Sequence, residues 1–324
     1  MNGKSPKYLI ILGLLIPCVL FTSYYKEGGL SNLEDATYTL YLAGEWHLDS
    51  IYINGNWDYF NETYDWCYYK DGFYIIENVT IDAENNDGII IANTQDPFIL
   101  RNCSIFNSAA GEDSGAIKFI SVKNGILIEN NISHNNGNGI LTVLSENITL
   151  INNVFNNNVE SGVLVERNSN NFSLVSNQIN NNGKLGVNID ALHYSGSGSY
   201  SVLTDHKILN NKINNNTLSG IRLFWCVNST INENEIYSNG GYGIFLDTWC
   251  ANDIVTNNHI IYKEECIYDK EGNSYLNNNL CQRETSISPA IPGFNLYLMI
   301  MVLAVFTMII SYSFYRRFKF SFSI

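Results

Sequence analysis

The chain has 324 residues, 45% hydrophobic and 15% charged, with 31 acidic residues against 18 basic ones and a formal net charge of −13. Setting aside Lys4, Lys7, Arg316, Arg317 and Lys319 leaves 13 basic residues against the same 31 acidic ones, a charge of −18 for the rest. Such a surface excludes a nucleic-acid binder, repels anionic lipid and suits solubility, cations or neutral sugars.

Residues 1–25 read as a secretory signal peptide or an uncleaved signal anchor: Lys4 and Lys7, then an apolar run from Tyr8 to Phe21 without an evident small-residue cleavage site. Residues 26–74 are aromatic and lack a repeat, with Trp46, Trp57 and Trp66. They are assigned to an amino-terminal cap plus an incomplete first coil, because an open solenoid end would expose strand edges and core.

From 75 to 281 a motif returns about every 23 or 24 residues. Glycines fall at Gly88, Gly115, Gly139, Gly162, Gly186, Gly220 and Gly243. A second column, Cys103, Asn130, Asn153, Asn177, Asn211, Asn234 and Asn258, keeps step with the first across one interval of 34 residues. Fixed periods of this size mean a solenoid. The apolar runs are short, β-branched and bounded by Gly, Asn and Ser, as in Gly162-Val-Leu-Val and Gly186-Val-Asn-Ile, so they predict strands rather than helices. Three short strands per coil make an all-β, right-handed parallel β-helix of about eight coils. The repeated Asn predicts a structural ladder of stacked amides, with the tolerance for left-handed backbone that sharp turns need. A Ser/Gly-rich insertion, Tyr194 to Tyr200, is expected to loop out of the longest coil.

Residues 282–295 read as a linker. An uncharged apolar run from Leu296 to Phe314, within a segment 296–315, is long enough for one transmembrane helix. The basic residues of the tail 316–324 place it in the cytoplasm. The expected topology is single-pass in the cell membrane with an extracellular solenoid. Sequons at Asn61, Asn78, Asn102, Asn131, Asn147, Asn171, Asn215 and Asn228 agree with export.

Six cysteines lie beyond the signal, an even number that invites disulfides in an exported chain. Cys226 and Cys250 stand one coil apart and are expected to bond. Cys266 with Cys281 could close the final coil, and Cys67 with Cys103 could pin the cap. No metal site is expected: there is no Cys-x-x-Cys or His-x-x-His spacing, His47, His134, His193, His206 and His259 share no column, and the body has no Met. No cofactor is expected either.

The segments Tyr74-Ile-Ile-Glu-Asn-Val-Thr-Ile-Asp82 and Ile99-Leu-Arg-Asn-Cys-Ser-Ile105, with coils such as Asn152-Asn-Val-Phe-Asn-Asn-Asn158, resemble right-handed parallel β-helix repeat proteins. These include the pectate-lyase-like superfamily and, more closely, the NosD-type periplasmic repeat family. Pro292-Gly-Phe294 followed by an apolar run and Arg-Arg resembles the anchor signals of archaeal surface proteins. The resemblance implies a fold but not an activity, since such proteins include lyases, glycosidases, epimerases, adhesins and non-catalytic members.

Residues two and four beyond each Gly are expected to point outward and stack in columns. The coils from Gly162 to Gly243 gather Glu166, Asn188, Asp190, Arg222, Phe224, Phe245 and Asp247 there, with His193, Tyr194, Asp205 and His206 from the insertion beside them. Asp190 and Asp247, with Glu166 in reserve, are the acid/base candidates for glycoside cleavage. Asn188, Arg222, Phe224, Phe245, His193 and Tyr194 are the binding candidates for surface polysaccharide or glycan. Three function classes follow: a structural or glycan- or matrix-binding surface protein, a polysaccharide hydrolase or lyase, and a metal-handling accessory protein. Plain solvated carboxylates on an acidic scaffold account for the same residues without chemistry.

Overall fold

The computed structural model describes residues 46–191 and 201–284. The signal segment, most of the insertion including His193 and Tyr194, residues 285–295 of the linker, the 296–315 segment and the tail lie outside them. Among the described residues no helix is long and apolar enough to cross a membrane.

The repeat coils into three parallel sheets. The first follows each Gly and stacks Ile51–Asn54, Ile89–Thr94, the start of Gly115–Ile128, Asn138–Val143, Val163–Glu166, Val187–Asp190, Ile221–Phe224, Ile244–Leu246 and Ile267–Asp269. The second runs through Glu146–Ile151, Asn170–Val175, Lys207–Leu209, Thr230–Asn232 and Ile254–Thr256. The third has ten strands, from Trp46–Leu48 to Leu280–Arg283. Together they make about eight turns. Gly115–Ile128 belongs to two sheets because it runs through a corner, at Ser121 (φ 57°) and Asn124 (φ 62°). Inward positions form one core: Ile140, Val163, Val187, Ile221 and Ile244 from the first sheet meet Phe155, Ile179, Ile213, Ile236 and Ile260 from the third, all fully buried.

The Gly column exists for close approach, not for backbone freedom. A Cβ on Gly162 would lie 2.5 Å from Ile179 Cγ2 and 2.9 Å from the Gly186 carbonyl oxygen, and the same pattern recurs at Gly186, Gly220 and Gly243. The Asn column forms a ladder. Each Nδ2 donates to the Oδ1 of the next coil, from Asn130 to Asn153, Asn177, Asn211, Asn234, Asn258 and Asn279, at 2.9–3.1 Å. The left-handed turn is made one residue earlier, at Glu129, Asn152, Ser176, Asn210, Glu233 and Asn257. Bending and bonding are thus divided between neighbours. A second ladder, Asn135, Asn158, Asn182, Asn216 and Asn239, was not anticipated; it runs along the next corner at 2.9–3.0 Å.

At the amino end the short helix Trp57–Thr63 packs beside Ile51–Asn54 and Cys67–Lys70. Trp57 is buried, stacks on Tyr74 (5.1 Å) and Phe98 (5.4 Å), and donates its Nε1–H to Thr94 Oγ1 at 3.1 Å. Among the described residues, Cys67–Lys70, which pairs antiparallel with Phe73–Glu77, is the one exception to the parallel rule.

The cysteines correct two expected pairings, Cys226 with Cys250 and Cys67 with Cys103, and keep a third. Cys266 and Cys281 are bonded. Cys226, Cys250, Cys67 and Cys103 are buried free thiols. Cys226 and Cys250 do stack in neighbouring coils, but parallel register keeps their Cβ vectors side by side at the ~4.8 Å rung spacing, beyond the usual Cβ separation of a disulfide. Each thiol turns to a main-chain carbonyl, Cys226 to Ile189 at 3.7 Å and Cys250 to Leu223 at 3.2 Å. Ile76, the antiparallel partner of Cys67, presents its carbonyl to Cys103 Sγ. Burial pushes the Cys67 and Cys103 thiols up to about 12.

Candidate functional site

Strand register brings the predicted outward residues together. On the first sheet Leu164 pairs with Asn188, Asn188 with Arg222 and Arg222 with Phe245 in one column; Val143, Glu166, Asp190 and Phe224 follow each other in the next. Asp247 sits directly after Ile244–Leu246 and donates its backbone N–H to the Leu223 carbonyl at 2.9 Å.

Asp190 and Asp247 are committed to ion pairs. Arg222 Nη1 donates to Asp190 Oδ2 at 2.8 Å, and its Nη2 and Nε donate to Asp247 Oδ2 at 2.9 and 3.2 Å. Lys270 Nζ reaches the other oxygen of Asp247 at 3.0 Å and Thr248 Oγ1 at 2.7 Å. Burial alone would raise Asp247, but hydrogen bonds from Arg222, Lys270 and the Thr248 N–H outweigh it and hold the carboxyl below its ordinary range. The guanidinium fills the gap between Asp190 and Asp247. An inverting pair needs that gap for a water and the scissile bond.

Aromatic rings flank this charged row. Tyr242, Phe245 and Tyr268 form one cluster with centroids 4.9–5.5 Å apart. On the other side Phe224 lies parallel to Trp225 at 6.3 Å, Arg222 sits 4.8 Å over the Phe224 ring, and Trp249 meets Trp225 edge-on with 64% of its surface exposed. Asn188, Glu166 and Asp190 are each buried, so the open part of the face begins at Arg222. Toward the amino end a cavity of about 270 Å³ lies over Ile120, Leu141 and Val143, rimmed by Asp113, Lys118, Glu166 and Arg167.

His193 and Tyr194 lie outside the described residues. His206 is not beside the acids: its backbone follows the turn at Asp205 (φ 65°) and the ring points into the core, fully buried. Its column continues through Ser229 and Asp253. Burial takes His206 down to about 3 and Asp253 up to about 7. Asp253 Oδ1 accepts the Ser229 N–H at 2.7 Å, while Asp253 Oδ2 and His206 Nε2 have no partner among the described residues.

Tyr268 and Lys270 were not anticipated because no Gly heads their coil. Cys266 stands in the Gly column there, 23 residues after Gly243, with Ile244 paired to Ile267 and Phe245 to Tyr268. Extending the period through that Cys would have found both. Among the described residues no three His, Cys, Asp or Glu side chains gather in a way that could hold a metal ion.

Residues 41–206 match the family model described as the right handed beta helix region. The chain belongs to the right-handed β-helix family. No curated protein matches it significantly. Among solved structures, this β-helix is similar to the Dettilon tailspike protein gp208, with 11% identity, TM-score 0.50, and coverage of 74% of this chain and 61% of that one. It is also similar to the A-module of the mannuronan C-5 epimerase AlgE6 from Azotobacter vinelandii, with 18% identity, TM-score 0.46, and coverage of 63% and 64%. The β-helix chain therefore spans under two thirds of either protein, and at these identities the likeness is one of fold.

Proposed function

We propose that this β-helix is a membrane-anchored extracellular protein whose first-sheet face, from Arg222 to Lys270, binds neutral glycan without cleaving it. The observation that carries the reading is Arg222 seated between Asp190 and Asp247. It removes the space a hydrolytic pair requires and leaves a rigid polar row, Asp190–Arg222–Asp247–Lys270, flanked by Phe224, Phe245, Tyr242, Tyr268 and Trp249. Rings supply flat apolar faces for sugar rings, and fixed charges supply hydrogen bonds to hydroxyls. Both cations are already neutralised by the carboxylates, and the body carries −18. Polyanionic chains are disfavoured on that surface. The single-pass anchor rests on the apolar run 296–315 and the basic tail. The likeness of the coils to NosD-type repeats and of the tail to archaeal surface anchors supports the same placement.

The test is a panel of neutral and acidic polysaccharides incubated with the full chain and scored for retention and for chain length. Retention of neutral glycans with unchanged length is expected. Shortened chains, abolished by Asp190→Asn or Asp247→Asn, would establish the polysaccharide-cleaving alternative instead.

A further inference from the structure

We infer that Asn215 and Asn228, alone among the eight sequons, carry N-linked glycan in the mature protein. The inference rests on the extracellular placement proposed above.

The β-helix sorts its sequons by what each carboxamide already does. Asn102 Nδ2 donates to Asn78 Oδ1 at 2.6 Å. Asn147 Nδ2 donates to Asn124 at 2.7 Å, and Asn171 Nδ2 donates to Asn147 at 3.2 Å. Asn131 Oδ1 accepts the hydroxyl of Ser133, its own sequon partner, at 2.6 Å, and Asn61 Oδ1 accepts the Tyr69 N–H at 2.8 Å. These are corner ladders or local clasps that help fix the turns. A glycan on a laddered Nδ2 replaces a donor hydrogen and places a sugar against the next coil, one rung (~4.8 Å) away. Neighbours such as Asn147 and Asn171 have no room for two.

Asn215 and Asn228 differ. Both are exposed, both sit at left-handed corner positions with φ 56° and 59°, and neither side chain has a hydrogen-bond partner among the described residues. The cause is visible at Asn228: the corner column above it is interrupted by Asp205, whose carboxylate takes the Thr204 hydroxyl at 2.7 Å. Their backbone N–H groups stay bonded, to the Tyr237 and Ala251 carbonyls at 3.0 and 3.2 Å, so the turn does not depend on the side chain. The two lie on different corners of the coil, one before ladder residue Asn216 and one before buried Ser229. Two glycans there do not compete.

The donor class is an oligosaccharide joined through its anomeric carbon to a lipid-linked phosphate. Asn Nδ2 attacks that carbon and an N–C bond forms. The anomeric C–O bond to phosphate breaks with its electron pair leaving on the phosphate oxygen, and one amide proton passes to solvent or a transferase base.

The experiment is mass mapping of proteolytic peptides from the full-length protein isolated from membranes of its own cells, together with labelling of Lys212 in intact cells by a membrane-impermeant amine reagent. Lys212 lies beside Asn215 with 61% of its side chain exposed. Glycan mass on the Asn215 and Asn228 peptides, with the other six sequons unmodified, is expected. Asn215→Gln and Asn228→Gln should each remove one glycan without loss of protein. Unmodified Asn215 and Asn228 with a labelled Lys212 would overturn this inference and leave the extracellular placement standing. Unmodified sequons with an unlabelled Lys212 would overturn both. Glycan on Asn147 or Asn171 would overturn the selection by the ladders.

Discussion

Arg222 and Asp247 are joined by two hydrogen bonds to a single carboxylate oxygen, 2.9 Å from Nη2 and 3.2 Å from Nε, while the remaining Nη1 holds Asp190. One guanidinium therefore ties three successive coils, since Asp190, Arg222 and Asp247 belong to adjoining turns. Replacing it takes the guanidinium away from two largely buried carboxylates, of which Asp247 keeps Lys270 and the Thr248 N–H. Arg222→Gln is expected to lower stability by about 2–3 kcal/mol, less than for a fully dry pair because the side chains keep some solvent. Urea unfolding of the variant checks this. Asp247, held below its ordinary range, contributes stability above its unfolded pKa that is lost as pH falls through the lower folded value.

Phe245 and Tyr268 touch at 5.5 Å on the open end of the face. Phe245→Ala and Tyr268→Ala are each expected to weaken neutral-glycan retention by about tenfold, roughly the worth of one aromatic contact. Neither ring belongs to the inward core, so the thermal transition should stay within a few degrees of the parent. Affinity electrophoresis with the retained polysaccharide measures the first effect and calorimetry the second.

Asp253 and His206 oppose each other in pH. Asp253 rises to about 7 in the fold, so neutral Asp253 is favoured and its penalty grows as pH climbs from the unfolded value near 3.9 to about 7. Asp253→Asn is expected to stabilise the protein above pH 7, by about 4 kcal/mol at most, and to be nearly neutral at pH 4. His206, brought down to about 3, contributes stability that is present above pH 6.5 and lost toward pH 3. His206→Phe should remove that acid-side loss. Urea midpoints between pH 4 and pH 8 separate the two.

Asn177 and Ser176 are adjacent, yet they answer to different constraints. Asn177 Nδ2 donates to the Leu150 carbonyl and to Asn211 Oδ1, both at 2.9 Å, and its Oδ1 accepts from Asn153. Asn177→Ala leaves several buried groups unpaired and is expected to cost about 3 kcal/mol or more. Ser176 only supplies a φ of 57°, so Ser176→Gly should be neutral or slightly stabilising. Denaturant midpoints of the pair give the contrast.

Cys266 and Cys281 close a loop with a sequence separation of 15 on the last, most exposed coil. Cys281→Ser is expected to lower stability by about 3 kcal/mol, seen first as faster proteolysis around Tyr275. The buried thiols of Cys67 and Cys103 should resist alkylation until the protein unfolds.

What the sequence determined by itself was the repeat and everything that follows from its period. Gly and Asn columns in step across a 34-residue coil dictate stacked turns, and stacking dictates register: Leu164 over Asn188, Asn188 over Arg222 and Arg222 over Phe245. The repeat works because each coil satisfies its backbone with the next, so local spacing carries long-range order. Spacing along the chain does not carry side-chain direction or partnership. Only the tertiary structure turned His206 inward, left Cys226 and Cys250 as stacked thiols, and set Arg222 between Asp190 and Asp247. Each depends on a corner angle or a rotamer a few ångströms across. Tyr268 and Lys270 joined the site only when Cys266 took the place of a Gly whose absence had hidden their coil.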